Sequence, residues 1–289
     1  MEKNNKIYQI DAFTEKPFQG NSAAVMFSDN FSYEQMQKIA REMNLSETAF
    51  LSPSEKSDYK LQWFTPAVEV ELCGHATIAS LHFLMENGLL KDNSSVKFET
   101  KSGILNCGMK DGFYFMQIPI FKMEEFTGNK KEILNALGVD IDSVVKETPF
   151  IILEGGNLFF RVDGLKTLKS LSPDFKALKK LTEDKHEFEG VVVYTLETID
   201  DSSFASSRYF VPYYGIDEDP VTGSTNGPML LVFKRLGFIN NGDENISLIF
   251  EQGDFMGRRG RVKVSYDKSK NELYIAGKAV TVLKGELAF

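Results

Sequence analysis

Hydrophobic residues recur at two spacings along this chain, and together the spacings predict an α+β fold. Between Tyr33 and Met43, apolar side chains return every three or four positions, which is typical of an amphipathic helix. Short apolar runs such as 190–196 (GVVVYTL) instead predict buried strands. Predicted strands outnumber predicted helices, and no linker or low-complexity segment separates them.

The same order of predicted elements occurs twice. In each half, a strand, an amphipathic helix and a second strand come first. These segments are 23–27, 33–43 and 48–52 in the first half, and 158–162, 172–181 and 190–196 in the second. We place the start of the second amphipathic helix at Ser172-Pro173, because serine is a good N-cap and proline a good first helical residue.

Both halves then reach a glycine turn that opens an apolar helix. Trp63-Phe64-Thr65-Pro66 precedes the turn at Gly74, and Tyr209-Phe210-Val211-Pro212 precedes the turn at Gly223. Each helix is followed by a predicted strand, at 96–100 and at 246–251. Agreement of order and content over most of the chain favours an internal duplication.

The duplication predicts two lobes of similar build. We expect an N-terminal lobe at 1–122, with a C-terminal strand at 278–289 packed on it, and a C-terminal lobe at 123–289 that opens with the charged helix 130–137. Two similar lobes that face each other would leave a cleft, which is a common location for a ligand site.

The two glycine turns carry the polar residues that suit such a site. A helix N-terminus offers unpaired backbone N–H groups and the positive end of the helix dipole, which favour a carboxylate. His75 follows Gly74, Asp219 precedes the second turn, and Ser224 follows Gly223. Taken singly, Asp219 is also a reasonable turn or cap residue, and His75 a reasonable core histidine.

Glu47 is the candidate general base. It comes directly before the predicted strand 48–52, where a carboxylate costs free energy unless it is paired or used. The alternative is a solvated glutamate at a strand edge, the usual environment of this residue type.

Charge and composition exclude several classes of function. The chain of 289 residues has 33 basic and 41 acidic residues, and its net charge of -8 argues against a nucleic-acid surface. No apolar stretch approaches the roughly 20 residues of a membrane span. The segment 1–6 lacks the apolar core of a secretory signal. We therefore expect a cytoplasmic protein without a membrane partner.

Cysteine and histidine give no sign of a disulfide framework or a metal site. Cys73 and Cys107 are the two cysteines, and His75, His82 and His186 show no ligand spacing with each other or with them. We expect no structural metal.

Several long motifs, in order over nearly the whole chain, resemble the phenazine-biosynthesis F-like (PhzF-like) isomerase family, whose fold is that of diaminopimelate epimerase. The motifs are Asp11-Ala12-Phe13-Thr14, Pro17-Phe18-Gln19-Gly20-Asn21, 43–50 (MNLSETAF), Trp63-Phe64-Thr65-Pro66, 72–77 (LCGHAT) and 215–224 (GIDEDPVTGS). The resemblance implies two lobes, each a curved and mostly antiparallel sheet wrapped around a central helix. It also implies a homodimer.

The resemblance also implies a chemistry. The family's founding activity isomerises a dihydro-hydroxyanthranilate by moving a proton between ring carbons without a cofactor. By motif position, Glu47 matches the family's acid/base glutamate, and His75 and Asp219 match residues that bind and orient the substrate. Gly74, Gly223 and Ser224 match a cradle in which backbone N–H groups bind the substrate carboxylate. We expect a small carboxylate-bearing substrate.

Two alternatives stay open on the sequence. One is an amino-acid racemase or epimerase of the same fold, although such enzymes place a cysteine in each glycine turn and this chain has only Cys73, with 221–224 (VTGS) in the second turn. The other is a non-catalytic ligand-binding or interaction protein. Asn226, where many relatives have histidine, leaves the substrate open.

Overall fold

A computed structural model of the chain describes residues 5–29, 31–185, 187–240 and 242–288. His186 lies outside the described residues. The strands are β1 (Lys6–Ala12), β2 (Asn21–Phe27), β3 (Glu47–Ser52), β4 (Tyr59–Phe64), β5 (Glu69–Val70), β6 (Ser94–Thr100), β7 (Gly103–Lys110), β8 (Phe113–Ile118), β9 (Met123–Glu125), β10 (Ile151–Leu153), β11 (Asn157–Arg161), β12 (Gly190–Thr195), β13 (Ala205–Val211), β14 (Ile216–Asp219), β15 (Asn245–Gln252), β16 (Gly260–Asp267), β17 (Glu272–Gly277) and β18 (Ala279–Glu286). The helices are α1 (Tyr33–Met43), α2 (Gly74–Glu86), α3 (Lys130–Leu137), α4 (Leu165–Ser170), α5 (Phe175–Lys185) and α6 (Gly223–Arg235).

The chain divides into two compact units. The first comprises the described residues of Met1–Ile118, Gly260–Val262 and Tyr274–Phe289, and the second comprises those of Pro119–Arg259 and Lys263–Leu273.

The first unit is a mostly antiparallel sheet that packs on helix α2. Strand β1 pairs antiparallel with β18 and with β2. Strand β2 also pairs parallel with β3, β3 pairs antiparallel with β4, and β4 pairs parallel with β6. Strands β6, β7 and β8 complete it as an antiparallel series. Helix α2 is buried from its first residue through Leu84, which accounts for the absence of a polar face along most of its sequence.

The second unit repeats this order of pairings. Strand β11 runs parallel to β12, β12 antiparallel to β13, and β13 parallel to β15. Its central helix is α6, where Phe233 packs against Tyr194 of β12 and Phe250 of β15. In both units a helix connects the parallel strands, as such pairs require. The predicted α+β fold with two similar lobes is confirmed.

Helix α5 begins later than the sequence suggested. We placed its start at Ser172-Pro173, but the helix runs from Phe175 to Lys185. The Asp174 carboxylate accepts a hydrogen bond from the Ala177 N–H at 2.9 Å, and the Leu178 N–H donates to the Asp174 carbonyl at 2.9 Å. Asp174 is therefore the N-cap, because its side chain satisfies an amide of the first turn.

Candidate active site

Helices α2 and α6 begin without a side-chain cap, unlike α1. Helix α1 has a full capping box, in which Ser32 accepts from the Gln35 N–H and Gln35 reaches back to the Ser32 N–H. At α2 and α6 the N-cap residues are Cys73 and Thr222, and neither side chain caps its helix. The first amides of these two helices therefore receive no capping hydrogen bond from the N-cap side chain, which suits an anionic ligand.

In the first unit, three elements bring their first residues to one place. Strands β2 and β3 run parallel, with Ala23 opposite Glu47, so Asn21 and Glu47 stand at the same end of the sheet. His75 is the second residue of α2. Its Nε2 lies 3.1 Å from Glu47 Oε2, and its Nδ1 lies 3.3 Å from Asn21 Nδ2 and 3.6 Å from Cys73 Sγ.

The Glu47–His75 contact is close but does not point along a hydrogen-bond direction. Both side chains are largely buried, with 12% and 5% of their areas exposed. Within the residues that the structure describes, neither Glu47 Oε2 nor His75 Nε2 has a hydrogen-bond partner. The contact is thus held by charge rather than by an aligned hydrogen bond, and a buried ion pair of imperfect geometry is costly in a purely structural role.

The surroundings of His75 and Cys73 set their protonation. Burial alone would lower the pKa of His75, but the Cys73 sulfur and the Glu47 carboxylate raise it, and the net direction is well above its usual value. Burial, followed by the charge of Glu47, raises the pKa of the Cys73 thiol to about 11. Because that thiol is uncharged at neutral pH, we assign the upward direction at His75 to the Glu47 carboxylate.

Glu47, Cys73 and His75 also form a group whose donor atoms lie within 4.8 Å of one another, a spacing that could hold a metal ion. The sequence pattern did not reveal this proximity. However, the thiol approaches Nδ1 and the carboxylate approaches Nε2. A metal ion bound at Nδ1 would not use the carboxylate beside Nε2, and one bound at Nε2 would not use the thiol beside Nδ1. The thiol would also have to lose a tightly held proton first. The arrangement fits proton transfer better than metal binding.

In the second unit, the turn before α6 is held by a network of polar side chains. The Thr222 hydroxyl donates to Asp219 Oδ2. Gln252 Nε2 donates to the Asp219 carbonyl at 2.8 Å and to Thr222 Oγ1 at 3.1 Å. Gln252 Oε1 accepts from the Thr222 N–H at 3.1 Å and from Asn226 Nδ2 at 2.6 Å. The side chain of Gln252 thus bridges Asp219, Thr222 and Asn226.

The structure brings the predicted site residues together in two groups, one in each unit. Glu47, Gly74 and His75 lie in the first unit, and Asp219, Gly223 and Ser224 in the second. Gly74, His75, Asp219 and Gly223 are buried, whereas Ser224 is half-buried.

Asn21 and Gln252 were not predicted as site residues. Asn21 belongs to the quoted motif 17–21 (PFQGN), which is the signal that could have found it. Gly20 precedes it at φ 63°, where a Cβ would come within 2.1 Å of the Ala12 carbonyl, so this turn needs glycine. Gln252 follows Phe250-Glu251, and nothing in that pattern indicates a site.

Comparison with known proteins decides the family. The family model for the phenazine biosynthesis-like protein matches residues 10–285. The chain belongs to this family. An uncharacterized isomerase of Clostridium acetobutylicum is 37% identical over 99% of both chains, and the uncharacterized isomerase YfhB of Bacillus subtilis is 34% identical over 92% of both. These names support an isomerase class for this member of the family.

Solved structures agree with this membership. A phenazine biosynthesis protein of the PhzF family from Bacillus anthracis, 30% identical, aligns with a TM-score of 0.90 over 99% of this chain and 100% of its own. A hydroxyproline epimerase from Agrobacterium vitis, 12% identical, aligns with a TM-score of 0.63 over 100% of this chain and 93% of its own. The second likeness shows a shared fold and nothing about activity. Across the described part of the chain, no helix has the length and apolar character needed to cross a membrane.

Proposed function

We propose that this PhzF-family protein is a cofactor-independent isomerase that moves a proton on a small carboxylate-bearing substrate, with Glu47 as both acid and base. The observation that carries the proposal is the Glu47–His75 pair. It is buried, its facing atoms are 3.1 Å apart, and both atoms lack a hydrogen-bond partner within the described residues. A reacting substrate could use both atoms.

The proposed reaction needs one acid/base group. The Glu47 carboxylate removes a proton from a carbon that neighbouring unsaturation makes acidic, so that a C–H bond breaks and an O–H bond forms. The electron pair spreads over the unsaturated system. Glu47 then returns the proton to another carbon, and the double bond shifts without net oxidation or reduction. A protonated His75 beside the carboxylate stabilises the negative charge that develops on the substrate.

The other site residues keep the roles expected from the family. Gly74, Gly223 and Ser224 offer backbone N–H groups to the substrate carboxylate, and the uncapped starts of α2 and α6 support this role. His75 and Asp219 bind and orient the substrate. A cytoplasmic location and a homodimeric assembly remain predictions from the sequence.

Solvent-exchange NMR tests the proposal. Unsaturated and amino- or hydroxy-substituted carboxylates are incubated with the protein in deuterated buffer, and deuterium at carbon is followed over time. We expect the wild type to label at least one substrate and Glu47→Gln to lose roughly 10²–10⁴-fold in rate, the range for a general acid/base group.

Glu86→Gln is the matched control, because Glu86 is the other carboxylate near a histidine in this unit, 3.5 Å from His82. This variant should label at the wild-type rate. Equal labelling by wild type and Glu47→Gln would show that Glu47 is not the acid/base group. The absence of labelling with every carboxylate would instead favour a non-catalytic binding protein.

A further inference from the structure

The hydrogen-bond network before α6 fixes the orientation of two side-chain amides. The Thr222 N–H can only donate, so the Gln252 atom 3.1 Å away must be the oxygen Oε1. The Asn226 atom 2.6 Å from that oxygen must then be the nitrogen Nδ2. The same nitrogen lies 2.8 Å from the Thr222 carbonyl, which can only accept. The polarity of the backbone groups thus identifies the oxygen and the nitrogen of each side-chain amide.

This orientation leaves Asn226 Oδ1 as a buried acceptor. Asn226 is 1% exposed, and within the described residues Oδ1 has no hydrogen-bond partner. Both hydrogens of Nδ2 are used, so a rotation of the amide would bring Oδ1 against two acceptors and lose both bonds. A buried carbonyl oxygen without a donor is costly, and native proteins seldom leave one unmet.

The position of this oxygen links it to the candidate site. Within the described residues, buried polar atoms without a partner also occur away from the glycine turns, at Trp63 Nε1 and Tyr194 Oη for example, so the missing partner matters here because of where Asn226 lies. Its Nδ2 donates to the carbonyl of Thr222, the N-cap residue of α6, whose peptide bond leads directly to the N–H of Gly223. The side-chain amide of Asn226 is therefore at the start of the helix, within reach of a substituent on a carboxylate bound there.

We propose that Asn226 Oδ1 accepts a hydrogen bond from an amino or hydroxyl group of the substrate, and thereby selects carboxylates that carry an N–H or O–H donor near the carboxyl group. This inference rests on the proposed function, because it uses the same carboxylate site. It adds a specificity residue and narrows the substrate class.

Calorimetric titration with a matched set of ligands tests the inference. The probes are benzoate and its 2-amino, 2-hydroxy, 3-amino and 3-hydroxy derivatives. The 3-derivatives are included because an internal hydrogen bond to the carboxylate can mask a donor at position 2. We expect the best donor-bearing derivative to bind the wild type about tenfold more tightly than benzoate, the value of one buried hydrogen bond. Comparison of the amino derivatives with the hydroxy derivatives shows which donor is preferred.

The decisive quantity is the affinity ratio between donor-bearing ligand and benzoate. In Asn226→Ala this ratio should fall to within about twofold of unity, whereas a general loosening of the turn would weaken both ligands equally. Thr225→Ala is the matched control, because it removes one hydrogen bond to the same Thr222 carbonyl and leaves Oδ1 in place. It should keep the wild-type ratio. Asn226→Leu serves as a second variant if the alanine variant does not fold, because it keeps the approximate volume of the asparagine side chain and carries no acceptor.

The outcomes separate this inference from the function on which it rests. A ratio in Asn226→Ala or Asn226→Leu equal to that of the wild type would overturn the role of Asn226 and leave the carboxylate site intact. Equal binding of benzoate and all its derivatives to the wild type would also overturn the role of Asn226 and leave the carboxylate site intact. Failure of the wild type to bind any of the five ligands would overturn both the carboxylate site and the inference.

Discussion

The turns that open α2 and α6 hold equivalent places in the two units, yet different chemistry surrounds them. Each turn follows an antiparallel strand pair and starts the crossover helix between two parallel strands. The α2 turn gathers titratable side chains, namely Glu47, His75 and Cys73. The α6 turn instead gathers amide and hydroxyl groups that donate and accept fixed hydrogen bonds.

This difference suggests a division of labour within a duplicated scaffold. Side chains that are tightly hydrogen-bonded hold a geometry, as Gln252 does in the second unit. Unmet atoms belong to titratable side chains in the first unit, Glu47 and His75, but to a neutral amide, Asn226, in the second. The backbone supplies the same uncapped helix start in both units. Five predictions test this contrast.

The largest expected effect separates Glu47 from Asp219. Glu47→Gln should lower kcat for proton exchange by roughly 10²–10⁴-fold, because it removes the acid/base group. Asp219→Asn keeps an oxygen that can accept from Thr222, so it should act mainly on KM. Steady-state exchange kinetics with a labelled substrate measure both. An equal loss of kcat in the two variants, with KM unchanged, would contradict the division of labour.

The next effect concerns stability. Gln252→Ala should lower the free energy of unfolding by about 2–4 kcal/mol, because it leaves several buried groups of the α6 turn without partners. Asn21→Ala should cost less, about 1 kcal/mol, because it deprives His75 of its contact with Asn21 Nδ2, whereas Gln252→Ala removes four hydrogen bonds within the α6 turn. Urea titrations measure both values.

Gln117→Ala is the control for this comparison, because Gln117 accepts one exposed hydrogen bond from Asn106. Its cost should stay below about 0.5 kcal/mol. If Asn21→Ala proved as costly as Gln252→Ala, the α2 turn would be as tightly held as the α6 turn.

The two described histidines should titrate in opposite directions. The pKa of His75 lies well above its usual value of 6.5, whereas burial lowers the pKa of His82, despite the opposing charge of nearby Glu86. NMR titration of the ring protons should place one midpoint on each side of 6.5. In Glu47→Gln the His75 midpoint should fall, because the carboxylate that holds its proton is gone. An unchanged His75 midpoint would assign the raised pKa to some other group.

The raised pKa of His75 also determines how the stability of the fold changes with pH. A histidine that binds its proton more tightly in the folded state stabilises the fold fully below pH 6.5, its usual pKa. That contribution is lost as the pH rises through the raised pKa. The stability margin of the wild type over His75→Gln should therefore shrink as the pH rises above 6.5, and unfolding curves over this range measure it.

The smallest expected effect is that of Cys73→Ser. With a thiol pKa of about 11, Cys73 is a poor base at neutral pH, and the exchange rate should change by no more than about threefold, far below the range for a general base. A loss comparable to that of Glu47→Gln, accompanied by interconversion of enantiomers in the wild type, would instead support a racemase.

The sequence predicted those parts of the fold that local pattern determines. Helices α1 and α3 have the predicted bounds, because amphipathic spacing and capping residues are encoded nearby. Helix α4 was missed, since six residues of mixed polarity carry little periodic signal. The start of α5 was misplaced because Ser172, Pro173 and Asp174 offer competing start signals, and the hydrogen bond of Asp174 decides among them.

Candidate site residues were predicted where they lie in motifs of the family. Glu47, His75 and Asp219 were named in this way, and their roles stay predictions. The contact between Glu47 and His75 could not, because it depends on parallel pairing of β2 with β3 and on where α2 starts. Gln252 stands 26 positions from Asn226, and only the pairing of β13 with β15 brings its strand to the turn.

The pairing of β1 with β18 has a consequence for the order of events during synthesis. Lys6 lies opposite Glu286, and Asn5 and Leu287 exchange hydrogen bonds, so the sheet that carries Glu47 includes a strand that is synthesised after the whole of the second unit. After Ile118 has left the ribosome, about 160 more residues must follow before β18 exists, which takes roughly 8–30 s at ordinary rates. During that interval the edge of β1 that pairs with β18 is unpaired. The unit that holds the Glu47–His75 pair is thus begun before the second unit and completed after it.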